Sequence, residues 1–265
     1  METREIRPSG IVVTASVKTD TGCVREANED NGRHVVQGNV PATLTIVADG
    51  MGGHSSGEVA SEMAVDLIGR YFYAETGASI PAALEVAIAR ANAEIYQRST
   101  SDLQYAGMGT TVVALAVSDR SAYAAHVGDS RLYRLRGRHM EVLTLDHSQV
   151  VEMVKMGLIS WEDAQKHEDK NVILRALGTQ SNVEVEISGP FEIEMGDEFL
   201  LCSDGLSDMV DDEEIATIWA DAPDLHAAVE MLVDRAKQNG GSDNITVGIV
   251  RVTAENENIA PGKAP

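Results

Sequence analysis

The chain has little cysteine, little basic charge and no long apolar run. Among its 265 residues only Cys23 and Cys202 could pair, so no disulfide framework holds the fold. The longest wholly aliphatic stretch, "VVALAV" at 112 to 117, falls far short of the roughly 20 residues that a membrane span needs. The opening "METREIRPSG" lacks the basic start and apolar centre of a secretory signal. These absences predict a soluble protein in a reducing cytoplasm. No Pro/Ser-rich or charge-run linker, internal repeat or low-complexity tract divides the chain, so one domain is expected. Asp and Glu number 42 against 21 Lys and Arg, a formal net charge of −21, which disfavours nonspecific binding to nucleic acid or anionic membrane.

What is present suffices for a sizeable core, since 43% of residues are hydrophobic. Strand-like runs rich in Val, Ile, Leu and Thr stand at 11 to 17, 44 to 48, 110 to 117, 121 to 127, 131 to 136, 198 to 203 and 244 to 252. Several follow one another across "SDR" (118 to 120) or "GDS" (128 to 130), too short for a parallel crossover, so the sheet is expected to be mostly antiparallel. A helix from Gly57 puts Val59, Ala60, Met63, Ala64, Leu67, Ile68 and Tyr71 on one stripe, with Ser55 and Glu58 at capping-box spacing. A second from Pro81 repeats the pattern with Leu84, Ile88, Ala91 and Ile95. A third runs from Asp224 to Gly240 with Leu225, Ala228, Leu232 and Ala236 inward. Helices covering antiparallel sheets predict a layered α+β domain. Two short helical patterns between Asp146 and about Arg175, with Ser160 and Asp163 at capping spacing, predict an inserted flap; the polar tail beyond Thr253 is expected to fray.

The strand "LTIVA" ends in Asp49 followed at once by glycines, an odd terminus for a buried strand. Asp204 follows "FLLCS", Asp243 precedes "NITVGIV", and Asp129 lies between "YAAHV" and "RLYRL". One such Asp is ordinarily a turn residue or cap. Several converging on one edge of a core repel one another and lose hydration, so they need protons or cations. Oxygen ligands without a Cys/His cluster select Mg²⁺ or Mn²⁺ over zinc. Asp49 can bridge two ions, and Gly50, lacking a side chain, lets its carbonyl approach one of them. Upstream, "TDTGCVREANED" adds Glu29 and Asp30, with Arg25 as a planar fork suited to a phosphate dianion.

In order along residues 11 to 252, "TDTGCVREANED", "VADGMGGHSSGEVAS", "GMGTTVV", "HVGDSRLYRLR", "LTLDHS", "LRALG", "FLLCSDGLSDMV" and "GGSDNITVGIV" resemble the bacterial form of the protein phosphatase 2C family. These are the metal-dependent Ser/Thr phosphatases. The resemblance implies two antiparallel sheets packed face to face with helices outside, an α-β-β-α sandwich over residues 8–253 with a flap at about 146–175 and a tail at 254–265. It also implies two Mn²⁺ or Mg²⁺ ions in a cleft at one end. Asp49 would bridge both, Asp204 and Asp243 would complete one site, and Glu29 with the Gly50 carbonyl would line the other through waters. Asp30 and Asn244 would orient metal-bound water, and Arg25 would hold the phosphate. A third, weaker ion would sit near Asp129, sharing Asp204.

The implied chemistry is direct attack on phosphorus by metal-activated water, with no phosphoenzyme. Animal relatives carry a His right after the "DG" where this chain has Met51, which leaves the general acid unassigned; His54 reads as a turn residue. The implied partners are phosphoproteins made by Ser/Thr kinases, and relatives are monomers. Three other chemistries fit less well. "GHSSG" matches a nucleophile elbow at Ser55, but "DGMGGH" separates that serine from its strand. Cys202 lacks the Arg of a phosphate-cradling loop and reads as a small buried hydrophobe, and no Lys-Ser/Thr pair follows the glycines as a P-loop requires. A catalytically silent sensor or scaffold of the same fold would have lost a metal-site carboxylate, and none is lost.

Overall fold

A computed structural model of the chain describes residues 2–6, 10–37, 42–52, 56–118 and 120–255. In chain order its strands are β1 (Glu2–Ile6), β2 (Ile11–Asp20), β3 (Asp30–Val35), β4 (Ala42–Met51), β5 (Gly109–Thr110), β6 (Val112–Ser118), β7 (Ser121–Val127), β8 (Arg131–Arg136), β9 (His139–Val142), β10 (Glu186–Glu192), β11 (Glu198–Cys202) and β12 (Ile245–Ala254). The helices are α1 (Ser56–Ala74), α2 (Ile80–Ser101), α3 (Gln149–Lys155), α4 (Trp161–Lys166), α5 (Asp204–Ser207), α6 (Asp212–Asp221) and α7 (Leu225–Gln238). One sheet runs β1-β2-β12-β11-β8-β9 and the other β10-β7-β6-β4-β3, with β5 beside β4; every pairing is antiparallel.

The period-two alternation of side chains builds the layers. On β4 and β6, Val47, Val113, Leu115 and Val117 point between the sheets, meeting Val13, Phe199, Leu201 and Val250 of the facing sheet. The alternate residues Leu44, Ile46, Ala114 and Ala116 meet Ala64, Ile68 and Phe72 of α1 and Leu84, Ile88 and Ile95 of α2. On the far side, Leu200, Val247 and Ile249 pack on Ile215 and Trp219 of α6 and on Val229, Leu232 and Val233 of α7. Inner strands are therefore buried on both faces, which is why they read as continuous aliphatic runs despite being antiparallel. The result is the expected α-β-β-α sandwich.

Local signals set the helix ends. Ser160 and Asp163 form the expected capping box on α4, and Asp224 caps α7 by accepting from Ala227 N at 2.8 Å. Ser55, the expected cap of α1, lies outside the described residues, as do the tail beyond residue 255 and His54. The segment expected to form a flap holds α3 and α4, and its ends are joined by Gln149 N to Val172 O at 2.8 Å and Leu174 N to His147 O at 2.7 Å. Four strands appear that the hydrophobic pattern did not predict, β1, β3, β9 and β10, together with α5 and α6. No helix among the described residues is long and apolar enough to cross a membrane.

Candidate metal centre

The ends of β4 and β11 and the starts of β12 and β3 meet at one rim of the sandwich. Asp49 is in β4, and the β3–β4 register sets Asp30 directly opposite it. Thr111 and Thr110 clamp its backbone: Asp49 N donates to Thr111 Oγ1 at 3.0 Å, and Thr110 Oγ1 donates to Asp49 O at 2.8 Å. Thr111 Oγ1 in turn bonds Ser130 Oγ at 2.8 Å, tying this strand end to the turn that carries Asp129.

The glycine after Asp49 answers to packing. A Cβ on Gly50 would lie 2.1 Å from Gly57 O and 2.4 Å from Glu29 O, so only glycine lets these three segments touch. Gly57, at the start of α1, is equally confined: its Cβ would come within 2.7 Å of the Glu29 carboxylate carbon. Burial raises the Glu29 pKa, and the Gly57 backbone N–H, donating at the helix N-terminus, partly offsets that.

Asn244 fixes the loop that delivers Glu29. Its Nδ2 donates to Thr21 O and Ala27 O, both at 2.9 Å, and its Oδ1 accepts from Glu29 N at 2.8 Å. Ser203 does the same for Asp30, donating from Oγ to Asp30 Oδ2 at 2.6 Å while accepting from Thr246 N at 3.0 Å. Arg25 is half-exposed, with Nη2 donating to Asp243 Oδ2 at 2.6 Å. At the other side Arg131 grips Asp146 through two nitrogens, Nε at 3.0 Å and Nη2 at 2.7 Å, joining the Asp129 turn to the flap base.

These carboxylates burden one another. Burial first, then Asp30, Asp204, Asp129 and Asp243, hold the Asp49 pKa well above its ordinary value. Burial chiefly, with Asp204 and Asp243 adding, pushes Asp30 up to about 7. Asp129 is pushed up to about 8 by burial, Asp204 and Asp146, and Asp204 to about 6 by burial, Asp208 and Asp243. Asp30 Oδ1 and Asp204 Oδ1 are buried with no hydrogen-bond partner among the described residues. Acceptor oxygens that are buried, mutually repelling and undonated are what a hard dication would satisfy, and the donor set of carboxylates and a carbonyl suits Mg²⁺ or Mn²⁺. The residues fit the group.

A second set, His126, His147 and Glu186, lies close enough to hold an ion by distance alone. Its orientation argues otherwise. The two imidazoles stack with centroids 4.5 Å apart and planes within 13°, so their in-plane lone pairs run side by side instead of converging. Gly128 N donates to His147 Nδ1 at 3.1 Å, which leaves the ring proton on Nε2, facing Glu186 Oε2 at 3.2 Å. Cys202 faces the core beneath α7, and burial pushes its thiol up to about 12, so it supplies no thiolate.

Sequence reasoning named the carboxylates, Arg25 and Asn244, and the fold gathers them at one rim. It assigned no role to Gly57, Thr111, Ser203, Arg131 or Asp146, although each stands inside a quoted motif. A sandwich with acidic residues from separate segments meeting at one end defines a class: a carboxylate-lined site whose donors suit hard metal ions. The family follows from comparison. Residues 24–245 match the profile described as protein phosphatase 2C. The chain is 43% identical over 242 residues to the serine/threonine phosphatase stp of Listeria monocytogenes serotype 4b (strain F2365), covering 89% of this chain and 94% of that protein. The S. agalactiae serine/threonine phosphatase structure superposes with a TM-score of 0.84 at 38% identity, covering 90% of this chain and 99% of that one. The catalytic domain of the serine threonine protein phosphatase PstP, in complex with 2 manganese ions, matches with a TM-score of 0.79 at 33% identity over 92% of this chain and 99% of that one. The chain belongs to the protein phosphatase 2C family.

Proposed function

We propose that the protein is a metal-dependent phosphatase that removes phosphate from phosphoserine and phosphothreonine in proteins, by direct attack of water on phosphorus. The observation that carries this is the convergence on Asp49 of Asp30, Asp129, Asp204 and Asp243, with two buried oxygens left undonated. Divalent ions held there supply Lewis acidity and bring a water within reach of deprotonation near neutral pH.

The chain's own residues take these roles. Asp49 would be shared between two ions, Asp204 and Asp243 would hold one of them, and Glu29 and the Gly50 carbonyl would hold the other. Asp129 with Asp204 offers a third position. Asp30 and Asn244 would orient metal-bound water, Asp30 being itself held by Ser203 and Asn244 holding the Glu29 loop. Arg25 stands half-exposed beside Asp243 and presents a planar fork to the non-bridging phosphate oxygens. Mn²⁺ and Mg²⁺ both suit the donors, and the substrates are phosphoproteins made by Ser/Thr kinases. The free, exposed Cys23 suits a reducing compartment such as the cytoplasm.

Hydrolysis of p-nitrophenyl phosphate and of a phosphothreonine peptide, with Mn²⁺, with Mg²⁺ and with EDTA, tests the reading. Turnover that requires the metal and is abolished by the chelator is expected. Chelator-resistant turnover, or none with either ion, would overturn it.

A further inference from the structure

A cavity of about 970 Å³ opens between the flap and the turn into α6, with Asp129 and Asp204 at one end. Its floor is apolar, from Leu145, Val150, Val151, Ala164 and Val210. Trp161, the first residue of α4, lines it while 55% exposed, unusual for the largest apolar side chain. Ser148 also lines it; its Oγ is buried, makes no cap bond to α3 and has no hydrogen-bond partner among the described residues. A buried hydroxyl without a partner in a cavity wall marks a place where a ligand group bonds.

The charge of the wall has one sign in excess. Its two cations are already matched, Arg131 by Asp146 and Lys170 by Asp208 at 2.9 Å. Asp211, Asp212 and Glu213 follow in a row in the wall; Asp211 accepts from Glu214 N at 2.8 Å and Asp212 from Tyr133 Oη at 3.1 Å, and none is paired with a Lys or Arg among the described residues. Glu186 has His147 as its one ion-pair partner among the described residues, and burial lowers the pKa of that ring, which is neutral near pH 7. An indole and carboxylates without a cationic partner in one cavity wall suit a guanidinium or ammonium on an aliphatic stem.

Resting on the phosphatase reading, we infer that this groove is the peptide-recognition site, and that it selects phosphoprotein segments carrying Arg or Lys near the phosphorylated residue. The basic side chain lies along Trp161 with its charge toward Asp211–Glu213, and Ser148 bonds the peptide backbone.

Two phosphothreonine peptides, alike except for Arg or Glu at the flanking positions, test it by kcat/KM and by fluorescence anisotropy of their labelled, unphosphorylated forms. The wild type should favour the Arg peptide by about tenfold or more in both readouts, and less so at high salt. Trp161→Ala, and separately the combined Asp211→Asn, Asp212→Asn, Glu213→Gln variant, should bring the ratio to within about twofold. Equal kcat/KM and equal binding of the two peptides by the wild type would overturn the proposal, as would a preference that survives both variants. Anisotropy needs no catalysis, so a protein that binds the Arg peptide selectively but hydrolyses neither supports the groove while refuting the phosphatase reading.

Discussion

Replacing Asp204 by Asn should make the metal-free protein more stable while removing its chemistry. A carboxyl whose pKa rises on folding contributes its full stability below the unfolded value and loses it as pH climbs through the folded one. For Asp204 the two values are 3.8 and about 6, set by burial first and then by Asp208 and Asp243. At about 1.4 kcal/mol per tenfold in proton affinity, the ionised carboxylate costs about 3 kcal/mol at pH 8. Because the carboxyls titrate together, that figure belongs to the cluster, and relaxation makes it an upper bound. Asn keeps the shape and removes the charge.

Thermal unfolding in EDTA at about pH 4 and about pH 8 reads this out. Wild type should lose stability across the interval, since burial and neighbouring carboxylates push Asp30 up to about 7 and Asp129 up to about 8. The variant should melt higher than wild type at the upper pH, by at most about 6–12 °C at about 2–4 °C per kcal/mol for a chain of this size, with the gap closing at the lower pH. Adding Mn²⁺ should reverse the order, because only wild type keeps the full ligand set. A metal-free variant that melts at or below wild type at about pH 8 would refute the argument that these carboxylates are held under repulsion.

Three further outcomes follow from the same contacts. Gly57→Ala places a Cβ 2.7 Å from the Glu29 carboxylate carbon, so calorimetric Mn²⁺ affinity should fall by about tenfold or more with the secondary structure retained. Asn244→Ala removes three hydrogen bonds from the loop carrying Glu29, and denaturant unfolding should record a loss of about 2–3 kcal/mol. Arg25→Ala should raise KM for a phosphopeptide about tenfold with a smaller change in kcat; an unchanged KM would count against phosphate binding.

The unpredicted strands share one position. β1 and β9 are the two edges of the first sheet, and β10 and β3 the two edges of the second. An edge strand has one neighbour and can leave a face to solvent, so "DNGRHV" or "EISGPFE" needs no aliphatic alternation and lacks the signal an inner strand carries. β3 exists because β4 offers it a ladder, a tertiary cause that composition cannot express. The short α5 and the acidic start of α6 escaped for a related reason: in α6 only Ile215 and Trp219 are fully buried, with Ile218 and Ala220 packed partly against the core, too few to set a clear period.

The site divides along the same line. Asp49, Asp129, Asp204 and Asp243 each abut an inner strand, where a charge breaks an apolar run and so becomes visible, whereas Glu29 and Asp30 stand at the edge strand β3 and are marked only by the motif that carries them. The groups that aim those carboxylates make bonds that skip along the chain: Asn244 to Ala27, Ser203 to Asp30, Thr111 to Asp49. Nothing local distinguishes such a serine, threonine or asparagine from a turn residue, because its partner is a backbone group or side chain chosen by topology. Violations of the local pattern therefore announce where charge is gathered, while the geometry that makes it useful emerges only once inner strands have fixed the register.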